Sequence, residues 1–489
     1  MLEETRIGHA PREALAPDPL LAEFVTDDLA LPRFHVWTLG CQMNHSDSEE
    51  MAGALAAAGC AEATDLESAD LIVINSCAIR EAAEQKVIGR MGHLANLRRA
   101  NPALRVVLAG CSVRTDNAAG LKRRYPEVDL FLRPDEEPEL TARLGLAGAT
   151  APGRMVGDVR RQSAKSAWLP IIYGCDKTCT YCIVPFSRGP ERSRAFDDVV
   201  GEARTLAAQG YREVTLLGQN VNSYGHDLPP ESRFADVHGA RHLGRKLDLE
   251  GKPDMAALLR AIDGLRTADG VAAIPRVRFV TSHPWDLSER LIGAMAECES
   301  VCEHLHLPVQ SGDDAVLRRM GRQYTVDAYL ELVARLREAV PGISLTTDVI
   351  VGFCGETEAQ FERTLDLLRT VRFETVFAAA FSVRPGTPAA RLDDDVPKAE
   401  KKRRLQALLD LQEGIGLAAN EAWVGRTTEV LVDQQRPPSS HGDGAPRLAG
   451  RNRNNKLVHF DGPQALMGSL VNVRVDHAGP YALVGTLDA

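Results

Sequence analysis

The chain has 489 residues, of which 44% are hydrophobic and 25% are charged. This length and composition predict two to four domains with real hydrophobic cores, and they exclude a chain that is disordered throughout. The formal net charge of −10 argues against a generally basic nucleic-acid binder but leaves room for a local basic patch. No apolar run approaches the roughly 18 residues of a membrane span. The first 33 residues hold seven acidic and three basic residues, unlike a signal or transit peptide, so we expect a cytoplasmic protein.

The first third of the chain alternates short apolar strands with helices. We interpret residues 1–33, which are rich in proline and acids, as a flexible tail. From residue 34 the pattern predicts strands at 34–39, 70–74, 105–109 and 128–132, with helices at 46–58, 79–99 and 116–124. Such alternation is typical of an α/β doubly wound parallel sheet. We place this domain at 34–150 and a linker at 151–168.

A second α/β series follows and predicts a separate domain at 169–418. Its strands are expected at 169–173, 212–218, 276–281, 303–309, 343–351 and 375–381, and its helices at 196–209, 255–264, 286–296, 325–339 and 356–370. Six strand–helix units favour a partial (β/α)6 barrel over a complete eight-unit barrel. Residues 226–254 are polar and lack an apolar period, so we interpret them as a surface insertion.

The end of the chain differs in character from both α/β series. A helix at 397–418 leads into short alternating runs (TTEVLV, KLVHF, LVNVRV and ALVGT) separated by glycine, proline and asparagine. This pattern predicts a small all-β barrel at 419–489.

The ten cysteines carry most of the functional information, because disulfides are rare in the cytoplasm and clustered thiols there indicate metal binding or catalysis. Cys175, Cys179 and Cys182 form a C-x3-C-x2-C motif directly after an apolar strand. Three thiolates in one loop can hold three irons of a 4Fe-4S cluster and leave the fourth iron open for chemistry. A structural zinc site is the alternative, but it requires four ligands and no fourth Cys or His lies nearby in the chain.

A second group of three cysteines is spread along the first domain. Cys41, Cys77 and Cys111 each follow directly on an apolar strand (VWTLG, LIVINS and VVLAG). The carboxyl ends of parallel strands face one crevice, where ligands bind, so we expect these cysteines to hold a second open cluster. The alternative is three buried core thiols, which would sit within the strands rather than past their ends. We interpret the remaining cysteines, Cys60, Cys298, Cys302 and Cys354, as buried thiols without a ligand role.

The C-x3-C-x2-C motif, with Tyr181 before its last cysteine, resembles the radical S-adenosylmethionine (SAM) enzymes. The two cysteine triads followed by a small β-barrel resemble the methylthiotransferases of that group, over roughly residues 34–487. The motifs Leu39-Gly-Cys-Gln-Met-Asn44, Asn75-Ser-Cys-Ala-Ile-Arg80 and Gly174-Cys-Asp-Lys-Thr-Cys-Thr-Tyr-Cys-Ile-Val-Pro185 carry this resemblance. The terminal barrel resembles the TRAM domain, an OB-like RNA-binding module.

The resemblance implies two 4Fe-4S clusters and S-adenosyl-L-methionine as cofactors. SAM would be cleaved at the cluster on Cys175, Cys179 and Cys182, with Tyr181 near the adenine, and the methylated sulfur would come from the cluster on Cys41, Cys77 and Cys111. Four polar residues end barrel strands on the expected active face and are candidates for binding SAM: Gln219, Ser282, Gln310 and Asp348. Each is equally compatible with an ordinary strand-end polar group.

Three motifs resemble the branch of the family that acts on isopentenylated tRNA adenosine beside the anticodon: Leu216–Tyr224, Arg188–Arg194 and Thr281–Pro284. Two features depart from the usual pattern, namely Cys354 in place of the proline of a Gly-Phe-Pro-Gly turn and the long segment 226–254. The rival enzymes act on threonylcarbamoyl tRNA adenosine or on a ribosomal protein. A rival from another class is a non-catalytic iron–sulfur RNA-binding protein, although both triads stop one ligand short of a closed cluster.

Local charge supports an RNA partner. Residues 86–124 hold nine basic residues and one acid, and residues 154–194 hold eight basic residues and three acids. Such patches neutralise phosphates, although a solvated helix face is the alternative. In the terminal barrel, Arg447, Arg451, Arg453 and Lys456 form the densest basic group. We also expect an electron-donating reductase or flavodoxin, a sulfur donor, no membrane, and a monomeric chain, because no heptad pattern is present.

Overall fold

The computed structural model describes residues 31–78, 81–146, 159–238, 240–242, 245–247, 249–436 and 447–488. The predicted tail at 1–33 therefore lies almost entirely outside the described residues, and so do residues 151–158 of the predicted linker, whereas residues 166–168 of that linker belong to a strand. The chain divides into two compact units. The first comprises Met1–Leu39, Asp47–Ser76 and Ala82–Arg160, and the second comprises Gly40–Ser46, Cys77–Glu81 and Arg161–Ala489.

A five-stranded parallel sheet forms the centre of the first unit. In chain order its strands are β1 (Arg33–Thr38), β2 (Ala61–Glu62), β3 (Leu71–Asn75), β4 (Arg105–Ala109) and β5 (Leu130–Leu132). Their order in the sheet is β2-β1-β3-β4-β5. The helices are α1 (Gln42–Ala57), α2 (Glu81–Ala100), α3 (Ala118–Arg124) and α4 (Leu140–Arg143). The edge strand β2 and the short helix α4 have no counterpart among the predicted elements.

Both faces of this sheet are covered, because successive side chains of a strand point to opposite sides. Leu71 and Val73 of β3 belong to one buried apolar cluster, together with Leu55 of α1. Ile72 and Ile74 of the same strand belong to the other cluster, which α2 completes. Fully apolar strands of this kind fit a parallel sheet that is buried on both faces.

The second unit begins with six parallel strands in two three-stranded sheets, β6-β9-β12 and β13-β14-β15. These strands are β6 (Ser166–Pro170), β9 (Glu213–Leu217), β12 (Arg276–Phe279), β13 (His304–His306), β14 (Ser344–Val351) and β15 (Thr375–Ala380). Four shorter strands pair as antiparallel ribbons: β7 (Ile172–Tyr173) with β8 (Arg192–Ser193), and β10 (Ala240–His242) with β11 (Arg245–Leu247).

Helices pack on one side of these strands and build a large apolar core. They are α6 (Phe196–Ala208), α7 (Met255–Asp263), α8 (Glu289–Glu297), α9 (Asp314–Arg319), α10 (Val326–Ala339) and α11 (Glu358–Val371), while the short α5 (Val184–Arg188) follows the C-x3-C-x2-C motif. Side-chain caps fix several helix starts, and α11 has a full capping box between Thr357 and Gln360.

The segment 226–254 has more order than its composition suggests. Besides the β10–β11 ribbon, it contributes Phe234, Val237 and Leu249 to a small buried cluster, against which Phe196 and Ala257 pack. Three widely spaced apolar residues build this cluster, so no period was visible in the sequence. The segment is therefore anchored to the body of the unit rather than being polar surface throughout.

The chain ends in a closed β-barrel, as predicted. After α12 (Lys398–Glu421), its strands are β16 (Thr427–Arg436), β17 (Arg447–Asn452), β18 (Leu457–Asp461), β19 (Leu470–Ala478) and β20 (Leu483–Leu487), and they close in the order β16-β17-β18-β20-β19. Strand β17 was not predicted, because its sequence RLAGRN lacks an apolar alternation. None of the helices that the structure describes is both long and apolar enough to cross a membrane.

Candidate active site

The loop that carries Cys175, Cys179 and Cys182 follows the β6–β7 segment and is clamped at its start. Gly174 has φ +76°, and an added Cβ would lie 2.0 Å from the Pro190 carbonyl oxygen, so only glycine fits there. The backbone N–H of Gly174 donates to Oε1 of Gln219, which follows strand β9. The N–H of Cys175 donates to the Gly189 carbonyl at 3.1 Å. These contacts fix the direction in which the first cysteine leaves the strand.

The middle of the loop is held from the opposite side by the segment after α9. The N–H of Thr180 donates to the Met320 carbonyl at 2.9 Å, and its hydroxyl donates to the Arg319 carbonyl at 2.8 Å. Gly321 has no room for a side chain, since its Cβ would lie 2.6 Å from the Thr178 carbonyl oxygen. The loop is therefore rigid before any cofactor binds.

Cys175 and Cys182 lie in a desolvated environment that disfavours their free thiolates. Burial raises the pKa of Cys175 well above its ordinary range, and burial followed by the neighbouring Cys179 raises the pKa of Cys182 to about 12. Without a bound cation these two thiols stay protonated at neutral pH. A metal that displaces those protons supplies the missing positive charge.

In the described part of the chain, no group of three or more His, Cys, Asp or Glu side chains surrounds a single point as metal ligands do. The chemical type of the ligands nevertheless fits an iron–sulfur cluster, because such clusters are held by cysteine sulfurs and this loop carries three of them. Two buried oxygen atoms nearby, Oγ of Ser282 and Oε1 of Gln310, have no hydrogen-bond partner among the described residues. Unpartnered buried oxygens at strand ends fit a bound polar ligand.

Arg322 places a buried positive charge beside the loop. Its Nη1 lies 3.6 Å from the Sγ of Cys179, its Nε donates to the Tyr324 hydroxyl at 2.9 Å, and its Nη2 donates to the Pro308 carbonyl. The side chain is held at three points and is nearly inaccessible to solvent. Sequence reasoning missed it, since Arg322 is 143 residues from Cys179 and belongs to no motif.

His283 approaches the same sulfur from another strand end. Its Nε2 lies 4.0 Å from the Sγ of Cys179, and its Nδ1 accepts the backbone N–H of Trp285 at 3.2 Å. Because Nδ1 accepts a hydrogen bond, the neutral ring carries its proton on Nε2 and directs it toward the sulfur. Cys179 therefore has two donors in reach.

A buried ion pair ties the loop, through Lys177, to the segment after β12. The Lys177 ammonium is 2.6 Å from the Asp286 carboxylate, which also accepts from the Asn220 amide at 2.7 Å. Burial raises the pKa of the nearby Glu191 carboxyl to about 6, although Lys177 opposes the shift. Lys177, Asn220 and Glu191 lie in motifs recognised from the sequence, whereas Asp286 does not, so the sequence did not predict the ion pair.

The residues expected to bind SAM differ in their hydrogen bonds and in their backbone conformation. Gln219 holds the Gly174 backbone, so its oxygen is already used. Gln310 is buried with φ +75°, an unusual conformation for a non-glycine residue, and it follows strand β13. Ser282 follows Thr281, which has φ +69°. Strain of this kind is concentrated at ligand-binding sites.

Asp348 and Tyr181 complete the set of predicted SAM-binding residues. The Asp348 carboxylate is 3.3 Å from Nε2 of His306 rather than free. The Tyr181 ring packs edge-on against Phe353, with ring centroids 6.5 Å apart.

The second triad follows three neighbouring strands of the first unit's sheet, since Cys41, Cys77 and Cys111 come two or three residues after β1, β3 and β4. Within the first unit, a Cβ on Gly110 would lie 2.3 Å from Oδ1 of Asn75, so the turn before Cys111 passes directly against the residues before Cys77. Within the second unit, a Cβ on Gly40 would lie 2.8 Å from the Cβ of Cys77. Glycine is required at both turns for these close approaches.

The other cysteines are buried, as predicted. Cys60 and Cys298 lie in the main apolar clusters of their units, and Cys302 is buried as well. Cys354 packs in a cluster with Phe353 and Phe381, and its carbonyl accepts from Nε of Arg319 at 3.1 Å.

Part of the basic group of the terminal barrel is engaged in contacts within the protein. Arg453 pairs with Glu303 at 2.8 Å, and the buried Lys456 donates to Oδ1 of Asn420 at 2.7 Å. Arg276 reaches the barrel from the amino end of β12 and donates to the Arg451 carbonyl at 2.7 Å. These cations join the terminal barrel to the amino ends of the α/β strands, so the charge of Arg453 and Lys456 is engaged within the protein.

The two basic stretches are also partly used within the protein. Lys177 and Arg194 are buried in ion pairs, and Arg98 is paired with Asp129 at 2.6 Å. Lys122 and Arg123, in contrast, are exposed at the end of α3. The surface charge available for phosphates is therefore smaller than the sequence count.

Comparison with known proteins matches residues 169–368 to the model of the Radical SAM superfamily and residues 33–133 to the model described as Uncharacterized protein family UPF0004. A tRNA-2-methylthio-N(6)-dimethylallyladenosine synthase of Carboxydothermus hydrogenoformans is 42% identical over 94% of this chain and 100% of its own length. The enzyme of that name from Acetivibrio thermocellus is 41% identical over 92% of this chain and 90% of its own.

Among solved structures, the radical S-adenosylmethionine methyltransferase TsrM of Kitasatospora setae superposes with a TM-score of 0.51 at 16% identity, covering 84% of this chain and 81% of TsrM. At that identity the likeness shows the fold alone.

Proposed function

Because this chain belongs to the family of tRNA-2-methylthio-N(6)-dimethylallyladenosine synthases, within the radical SAM superfamily, we propose that it methylthiolates C2 of N6-dimethylallyladenosine at position 37 of tRNA. The product is 2-methylthio-N6-dimethylallyladenosine. The observation that carries this proposal is identity of about 42% over nearly the full length of both chains, joined to a cysteine loop of the radical SAM spacing. The enzyme is a transferase of sulfur-containing groups.

The cofactors are two 4Fe-4S clusters and S-adenosyl-L-methionine. Cys175, Cys179 and Cys182 would hold the first cluster, and Cys41, Cys77 and Cys111 the second. When bound, these groups supply reductive cleavage of SAM to a radical and delivery of a methylated sulfur. We assign SAM binding to Tyr181, Ser282 and Gln310. Asp348, predicted from the sequence as a fourth SAM-binding residue, is already paired with His306 at 3.3 Å and is not retained in that role. Gln219 fits better as a positioning residue for the loop, since its oxygen already accepts from Gly174.

The residues around the cysteine loop exclude water and place positive or hydrogen-bonding groups beside the Cys179 sulfur. Arg322 and the Nε2 proton of His283 face the Cys179 sulfur, so they stabilise negative charge on that thiolate. The buried pair between Lys177, which is in the loop, and Asp286 fixes the orientation of the loop. Burial of the thiols excludes solvent, which would otherwise quench a reactive intermediate.

Three neighbouring strand ends support the convergence of the second triad on one site. The turns at Gly40 and Gly110 leave no room for a side chain, and each passes close to residues at or just before Cys77 within its own unit. The six parallel strands of the second unit suit a partial (β/α)6 barrel whose carboxyl ends carry the first site. We retain the domain boundaries 34–150, 169–418 and 419–489 on these grounds.

The tRNA is the expected macromolecular partner, together with an electron-donating reductase or flavodoxin and a sulfur donor. A base in the anticodon loop is single-stranded, so it enters a pocket without melting a helix. Lys122 and Arg123 are exposed and suited to phosphates. The terminal barrel resembles a TRAM module, and any RNA contact it makes uses surfaces other than the docked Arg453 and Lys456.

The direct test is an anaerobic assay with three anticodon stem-loops that carry adenosine, N6-dimethylallyladenosine or threonylcarbamoyladenosine, followed by mass spectrometry of the nucleosides. We expect methylthiolation of the dimethylallyl substrate alone. A product from the threonylcarbamoyl substrate would favour the rival branch. Absence of any product, with SAM cleaved normally, would favour the ribosomal-protein branch, which the same assay with that protein would reveal.

Two variants separate the roles of the triads. Cys179→Ala should abolish formation of 5′-deoxyadenosine, whereas Cys77→Ala should retain some SAM cleavage but give no methylthiolated tRNA. Cys60→Ala is the matched control, because Cys60 is a buried thiol outside both triads. Equal loss of cleavage in both triad variants, with folded protein, would contradict the division of labour.

A further inference from the structure

Phe377 is a large aromatic side chain that remains 57% exposed although it lies in the middle of strand β15. On the same strand Val376 is buried in the apolar core beneath the helices. Since neighbouring side chains of a strand alternate between faces, Phe377 lies on the face opposite the helices. That face is the interior of the strand assembly, where an exposed phenyl ring is unusual.

The same face of the neighbouring strands carries polar groups. On β14 Leu345 and Val349 belong to the core under the helices, so Thr346 and Asp348 face the interior, and the strand register places Asp348 directly opposite Phe377. On β13 His306 points the same way, since Leu305 lies in the core.

These side chains form one connected patch, which we call the interior patch: His306, Asp348 and Phe377. The His306 and Phe377 rings meet edge to face with centroids 5.6 Å apart. Nε2 of His306 is 3.3 Å from the Asp348 carboxylate, and its Nδ1 is 3.0 Å from the Thr346 hydroxyl. The Asp348 side chain is still 40% exposed. The patch therefore offers an aromatic surface next to a partly free carboxylate whose position is fixed.

The interior patch is continuous with the cysteine loop. Two residues beyond Asp348 on the same face of β14, Ile350 packs in the cluster that includes Tyr181 of the loop. The Asp348 carbonyl accepts from the N–H of Gln310, the strained residue with an unpartnered buried oxygen. A ligand on the interior patch thus lies beside the groups assigned to SAM.

From this arrangement we propose that the interior patch binds the target base of the RNA: Phe377 contacts the adenine ring and its dimethylallyl chain, and Asp348 accepts the hydrogen of N6. An exposed aromatic ring suits a base or an apolar substituent, because every base has a π-face and stacking is a main source of single-strand affinity. The N6 of the substrate carries one hydrogen, which a carboxylate accepts well. The proposal deepens, and rests on, the function proposed above.

The test measures affinity rather than turnover, with reconstituted full-length protein and two anticodon stem-loops that differ only in the dimethylallyl group. Phe377→Ala should weaken binding of the dimethylallyl stem-loop about tenfold and remove the preference over the unmodified one. Phe377→Trp should restore both. Asp348→Ala should weaken both stem-loops alike, since both bases carry an N6 hydrogen. Leu409→Ala, which changes an exposed apolar residue on α12, is the control and should bind as wild type.

Two results would overturn the proposal while leaving the enzyme's function intact: Phe377→Ala with an unchanged preference, or Phe377→Ala that loses SAM affinity instead of RNA affinity. Wild-type protein that binds neither stem-loop would contradict the proposed function itself, and with it the proposed role of the interior patch. A circular dichroism melt of each variant distinguishes loss of folding from loss of recognition.

Discussion

The guanidinium of Arg322 lies 3.6 Å from the Sγ of Cys179, although the two residues are 143 positions apart in the chain. A fixed cation beside a buried sulfur favours its negatively charged form, so Arg322 stabilises a thiolate that is bound to a metal. The same charge acts on whatever the thiolate binds. Arg322 is therefore a positioning residue for the cysteine loop, held by Tyr324 and the Pro308 carbonyl.

Replacing Arg322 by Met should weaken retention of the first cluster and lower its reduction potential. A missing positive charge disfavours the more negative, reduced state, and loss of an outer-shell partner typically reduces metal affinity by about 10- to 100-fold. Anaerobic redox titration followed by electron paramagnetic resonance measures both effects. Arg318→Met, at an exposed position on α9, is the control. An unchanged potential in Arg322→Met would show that the cation serves packing alone.

Gly174→Ala should disrupt the loop without unfolding the unit. The residue has φ +76°, and the new Cβ would meet the Pro190 carbonyl. Strain of this kind destabilises by more than about 1 kcal/mol. We expect iron content to fall by about half, as only one of two 4Fe-4S clusters is affected.

The matched control is Gly201→Ala, where helix α6 leaves open space and alanine should stabilise by up to about 1 kcal/mol. Full iron content in Gly174→Ala would mean that the loop can move away from the Pro190 carbonyl and still hold its cluster.

Arg276→Met should loosen the terminal barrel. The fully buried guanidinium donates to the Arg451 and Glu429 carbonyls and pairs with the Glu429 carboxylate at 2.8 Å. Its removal leaves buried acceptors unpaired, at roughly 2 kcal/mol. Denaturant unfolding of full-length protein should show this loss, whereas Arg474→Met on the exposed side of β19 should not. Equal stability of the two variants would contradict the docking role.

Lys122→Ala combined with Arg123→Ala should weaken tRNA binding and reduce the dependence of affinity on salt. Each lost phosphate contact lowers the slope of log K against log salt by about one, so the double variant should lose about two. The control replaces Lys398 and Lys402, which are exposed on α12. An unaltered slope would exclude α3 from the RNA-binding surface.

Much of the fold was predictable, because apolar strands and amphipathic helices leave strong local patterns. Strand β4 was predicted residue for residue, and helix α12 was predicted to within a few residues at its ends. The pattern failed for β17, whose sequence RLAGRN does not alternate apolar and polar residues although closure of the barrel buries most of it.

The cysteine positions were also predictable, since spacing and strand ends are properties of the chain itself. Contacts between distant residues were not. Arg322 and Asp286 join the loop only after folding, and Arg453 looked like an RNA contact until its partner Glu303 was seen 150 residues away. A cluster of cations in a sequence does not reveal whether acids elsewhere will pair with it.

The two-cluster account is tested most directly by iron and sulfide content after anaerobic reconstitution, in wild type and in the variant with Cys175, Cys179 and Cys182 all replaced by alanine. The account predicts about eight irons per chain in wild type and about four in the variant, since each triad holds one 4Fe-4S cluster. About four irons falling to none would leave Cys41, Cys77 and Cys111 without a cluster and would contradict sulfur insertion by this chain.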